Sequence, residues 1–172
     1  MLDERRCRSR SHGDPARLSP VEWAIVDRRT LPLLLASQRF ESTSGPEPLD
    51  RLRMQKAVFL VGQRGPTAWQ DLYPYRPYHW GPYSRELAAD LESLVDLTLL
   101  DLVPRADRRY DAYRATPTGD AWADLQFGTE PPAYLIFIGA VRQFVTNRSF
   151  SQLLRDVYAE FPDFASRSRF TG

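Results

Sequence analysis

The chain has 172 residues, 42% hydrophobic, 26% charged and 12% aromatic, which suffices for one domain of ordinary size with its own core. The formal net charge of +1 does not single out a nucleic-acid binder, and no run approaches the roughly 18 apolar residues of a membrane span. A single cysteine, Cys7, excludes an internal disulfide, and the N-terminal arginines have no apolar stretch behind them to make a secretory signal, so a cytoplasmic location is expected.

Residues 1–18 are polar, Arg-rich and aperiodic, and are expected to form a disordered or loosely held leader whose Arg5, Arg6, Arg8 and Arg10 make a solvated tail or, as the alternative, touch phosphates. Ser19-Pro20-Val21-Glu22 reads as a helix start: Ser19 can cap, Pro20 fits the first helical position and Glu22 can return a capping-box bond. The helix is expected to run to about Phe40, with Pro32 as its weak point. "ESTSGPEP" is a loop by composition. A second helix is expected from Leu49 to Gln63, "LDRLRMQKAVFLVGQ", with an apolar band that widens toward Val61 while Arg51, Arg53, Gln55 and Lys56 fall largely elsewhere.

Ser84 to Asp96 carries the clearest helical pattern. Leu87, Ala88, Leu91, Leu94 and Val95 share one face, and Ser84 is placed to cap it. Two strand-like runs follow, Leu97 to Val103 and Arg109 to Thr116, separated by the polar "PRADR", which predicts a hairpin. Thr116 and Pro117 open a short helix, and amphipathic helices are expected over Tyr134 to Asn147 and Ser149 to Phe161. Helix, helix, hairpin, helix is the order of a winged-helix domain. The expected class is therefore mainly α with a small β-hairpin (α+β). One domain would span residues 19–172, with a core over about 49–126 and a C-terminal helical layer over 131–168.

"PYHWGPYS", residues 77–84, joins the second helix to the third and crowds in aromatics, His79 and Gly81. The chain offers only His12 and His79, leaves Cys7 without a nearby partner, and holds no phosphate-binding or dinucleotide-binding glycine motif. No catalytic residue, metal site or cofactor is expected. Gly81 supplies a turn that residues with a Cβ resist, Pro82 fixes φ, and Tyr78, Trp80 and Tyr83 suit a loop wedged between helices.

"RLRMQKAVFLVGQ", "YRPYHWGPYSRELAADLESLVDLTLL" and "LLRDVYAEFPDFASRS" resemble the signatures of bacterial YwgA-like proteins. The pairing of "MQK" with "WGP" is more loosely similar to the Panacea, or SocA-like antitoxin, domain. The resemblance covers about Leu49 to Ser168 and departs at Thr98, where such families usually carry a glycine. It implies a non-enzymatic helix-turn-helix-like module in a regulatory, phage or toxin–antitoxin setting, acting through DNA or through a protein partner.

For double-stranded DNA, the candidate contacts are Arg51, Arg53 and Lys56 on the second helix, Arg85 on the third, and Arg105, Arg108 and Arg109 in the wing. The third helix argues against insertion, because Glu86, Asp90, Glu92 and Asp96 outweigh Arg85. For a basic protein partner, the candidates are Tyr78, Trp80, Tyr83, Glu86 and Asp90, with further aromatics at Tyr73, Tyr75, Tyr158, Phe161, Phe164 and Phe170. DNA-linked regulation leads on fold class and the adaptor or antitoxin-like reading follows. No membrane contact is expected, and a homodimer stays open.

Overall fold

In the computed structural model, which describes residues 20–37, 48–104, 110–128 and 131–170 and only the backbone of 20–27 and 68, the chain is mainly helical with a small antiparallel β component. Residues 1–19, with the expected leader, and residues 38–47, with most of the expected "ESTSGPEP" loop, lie outside the described residues.

Helix α1 spans Pro20–Leu35 and passes through Pro32 without breaking. Proline has no N–H to offer the carbonyl of Arg28, one turn back, and the Tyr73 hydroxyl reaches that oxygen instead at 2.8 Å. The helix stops short of the expected Phe40. Its exit tightens through bonds from Ala36 N to Leu33 O and Ser37 N to Leu34 O, while Leu33, Leu34 and Leu35 disappear into the core.

The second helix also differs from the expectation at its start. Leu49–Asp50 form a short strand, β1, and α2 spans Arg51–Arg64. Asp50 caps it by accepting from Arg53 N at 2.8 Å, and Leu49 pairs with Tyr113 across the sheet. A second, two-stranded hairpin follows: β2 is Arg76–Tyr78 and β3 is Gly81–Tyr83. Helix α3 then spans Arg85–Asp96, capped by Ser84, which accepts from Leu87 N.

Thr98 closes α3 in the left-handed region at φ +57°. Bonds from Thr98 N to Val95 O and from Leu99 N to Leu94 O, both 2.9 Å, complete the exit that glycine usually makes. The helix end is therefore the ordinary one, with threonine bearing a strain of about 1–2 kcal/mol. Because Leu97 and Thr98 belong to that exit, the first strand of the expected hairpin starts later, and its partner is shorter as well. They are β4, Leu100–Val103, and β5, Ala112–Ala115. The sheet is antiparallel in the order β1-β5-β4.

Helix α4 spans Pro117–Phe127 under a Thr116 cap, α5 spans Pro132–Thr146, and α6 spans Phe150–Glu160 behind a Ser149/Gln152 capping box. The C-terminal layer shares the core. Phe59 of α2 meets Tyr75, Phe161 and Phe164 edge-on with ring centroids 4.9 to 5.0 Å apart. Arg53 ties the layer down: Nη1 bonds Asp50 Oδ2 at 2.5 Å, Nε bonds Val145 O at 3.1 Å and Nη2 bonds Arg148 O at 2.9 Å. It thereby satisfies carbonyls at the end of α5. Among the described residues, no helix is long and apolar enough to cross a membrane.

Candidate functional site

"PYHWGPYS" forms the β2–β3 hairpin and the cap of α3. Arg76 lies opposite Tyr83, and Tyr78 opposite Gly81. Gly81 sits at φ +84°, and a Cβ there would stand 3.2 Å from Lys56 Cε and 3.3 Å from Tyr158 Cε1. Both backbone angle and space call for glycine.

Two adjacent side chains of α2 clamp this segment. Gln55 Nε2 donates to Ser84 O and Ser84 N donates to Gln55 Oε1, each at 2.9 Å, so the amide pairs with the backbone as a neighbouring strand would. Lys56 Nζ donates to Pro82 O at 2.8 Å, and Tyr75 OH donates to Gln55 O at 3.3 Å. "MQK" and "WGPYS", far apart in sequence, are thus two halves of one joint.

Burial corrects the assignment of Lys56, in the clamp, and Arg53, under the C-terminal layer, to DNA. They are 2% and 3% exposed and reach no phosphate. Burial lowers the Lys56 pKa to about 7, outweighing the opposing pull of the Asp50 charge. Asp90 is corrected as well. It is 4% exposed and accepts from Arg28 Nε and Nη2 at 2.7 and 3.0 Å and from Tyr73 OH at 3.1 Å, while Arg29 Nε lies 3.4 Å away. Asp90 joins α1 to α3 and presents nothing to a partner. Burial and the Asp90 charge push the Tyr73 phenol pKa well up.

The remaining described charged candidates lie on the surface. Arg85 and Arg51 are exposed, and Arg51 Nη2 holds Glu92 Oε1 at 3.0 Å. Arg105, Arg108 and Arg109 lie outside the described residues. Glu86 is exposed beside Ser84, whose hydroxyl donates to it at 3.2 Å. On α3 the exposed charges are Arg85 against Glu86, Glu92 and Asp96, one positive and three negative.

Of the aromatics, Tyr78 and Trp80 are 46% and 41% exposed and Tyr83 is half-buried. Tyr78 stacks on His79 at 4.3 Å and lies 5.1 Å from Tyr83. Trp80 meets Phe150 edge-on at 5.4 Å. Tyr73, Tyr75, Phe161 and Phe164 pack into or against the core instead. Phe150, 40% exposed, is a surface ring that helical periodicity conceals. It shares the stripe of Leu153, Leu154 and Val157, but the stripe runs past the edge of the core at the first turn of α6. The C-terminal segment is laid against the hairpin tip by Arg169 N donating to His79 O at 2.9 Å and by Tyr158 OH donating to Ser168 Oγ at 2.6 Å.

Among the described residues, no three His, Cys, Asp or Glu side chains gather as a metal ligand set. No protein-family model matches the chain, and no curated protein matches it.

Proposed function

We propose that the chain is a non-enzymatic winged-helix regulatory module that docks a basic protein partner on the exposed face of α3. The element order α1, β1, α2, α3, β4, β5, with β1 beside β5, supports the winged-helix reading, the β2–β3 hairpin being an insertion before α3. The resemblance to YwgA-like and SocA-like antitoxin proteins agrees with a regulatory role. The observation that carries the choice of partner is the acidic face of α3. It occupies the place of a recognition helix, yet exposes Glu86, Glu92 and Asp96 against Arg85 on the same helix, with Arg51 of α2 paired to Glu92. Phosphates repel such a face, and base edges are read mainly by Arg, Lys, Asn and Gln.

Titrating the full chain against the product of the neighbouring gene and against duplex DNA tests this reading. Glu86→Gln with Asp96→Asn should weaken the protein complex severalfold and leave the fold intact. Specific duplex binding that survives physiological salt and is lost on replacing Arg105, Arg108 and Arg109 would instead establish a DNA reader acting through its wing.

A further inference from the structure

The outer side of the β2–β3 hairpin combines exposed rings with arginines that hold no carboxylate among the described residues. Arg76 and Tyr78 stand two residues apart on β2, which puts both on one face, and both are exposed. Trp80 and Phe150 continue the row of rings around the tip. Arg169, exposed, is held beside the tip by its backbone bond to His79. Arg51, Arg64 and Arg148 each grip a carboxylate, whereas Arg76 and Arg169 have no ion pair with any described residue.

Covering unpaired guanidinium groups with an apolar protein surface would desolvate them without return. A ligand that brings its own anions together with flat π faces suits both features at once. We propose that this face binds single-stranded nucleic acid, with a base stacked on Trp80 beside the exposed part of Tyr78 and phosphates held by Arg76 and Arg169. A duplex keeps its base faces inside the stack and gains little from exposed rings, so unpaired strands are the preferred form. The site is separate from the acidic face of α3 and does not depend on that reading.

Fluorescence anisotropy of the full chain with labelled oligothymidine and oligouridine of about 10 nucleotides, and with a duplex of equal length, tests the proposal. Single strands should bind more tightly than duplex. Trp80→Ala should weaken binding about tenfold while Trp80→Phe retains most of it. Arg76→Ala with Arg169→Ala should lower the log–log salt slope by about 1.4, and Arg64→Ala should leave it unchanged. Absence of single-strand affinity at low salt, with the fold intact, overturns the proposal. So does binding that ignores Trp80→Ala and vanishes when Arg5, Arg6, Arg8 and Arg10 become alanine. A Trp80→Ala variant that keeps oligonucleotide affinity but loses a protein partner would make the row a protein-docking surface and overturn it equally.

Discussion

Lys56 makes the folded protein's stability depend on pH in a window where few other groups titrate. A free lysine titrates near 10.5, and burial brings Lys56 to about 7. Below pH 7 both the folded and the unfolded chain hold the proton, and the full cost of burying an ammonium weighs on the fold. As pH rises through 7 the folded chain releases a proton that the unfolded chain still binds, so stability climbs at about 1.4 kcal/mol per pH unit until the unfolded lysine also titrates. Because the folded amine is only half titrated at pH 7, the gain between there and about pH 9 amounts to about 2 kcal/mol. Higher pH is less informative. Burial also raises the phenol pKa values of Tyr73 and Tyr75, so their contribution is lost as pH passes the ordinary tyrosine value of 10.0.

Urea denaturation of the natural chain and of Lys56→Met across this range supplies the measurement. The natural protein should gain about 2 kcal/mol relative to the variant between pH 7 and about pH 9. Losing the bond to Pro82 O shifts the variant by a constant of about 1 kcal/mol and does not change its slope. Parallel curves for the two proteins would show that Lys56 stays charged in the fold, and would refute the reasoning.

Two further substitutions probe the backbone. Gly81→Val combines a disfavoured φ with crowding against Lys56 and Tyr158, and should cost about 3 kcal/mol in thermal or chemical melts. His79→Ala, which removes a half-exposed ring, should cost less than about 1 kcal/mol; the reverse ranking would mean that the imidazole carries more than its stacking on Tyr78. Thr98→Gly relieves the left-handed strain at the end of α3 and should stabilise the fold by about 1 kcal/mol, read as a higher denaturation midpoint at constant m-value, so an unchanged or lowered midpoint would contradict the strain assigned to that position.

The elements legible in the sequence are those that local chemistry defines. Ser84 and Thr116 each announce a helix start by side-chain type and spacing, and each accepts from a backbone N–H three residues on. The α3 stripe buries Leu87, Ala88, Leu91 and Leu94 as its periodicity predicts. The β2–β3 hairpin is not legible in this way, because each three-residue strand contains a proline and reads as a loop. In the fold Pro77 lies opposite Pro82, a ladder position that needs no N–H from either residue. The positions of Arg53, Lys56 and Asp90 could not be read from residue type either. Arg53 is satisfied by carbonyls 92 and 95 residues away, and only the tertiary fold brings such acceptors to a buried cation.

A buried lysine is a costly way to seat a hairpin, and the geometry of the joint shows what that cost secures. The β2–β3 strands are short, and slipping their attachment by one residue would turn Arg76 and Tyr78 toward the core and Pro77 outward. An apolar side chain at position 56 could pack against either arrangement. Lys56 and Gln55 cannot, because they seek the carbonyls of Pro82 on β3 and of Ser84, two residues further on and just past the end of that strand. Ser84 is also the cap of α3, so the pair that sets the hairpin register sets the start of that helix. The acidic face and the row of rings are therefore held in one frame by two neighbouring residues of α2. Stability surrendered at Lys56 is exchanged for a single register, which an all-apolar joint would leave unspecified.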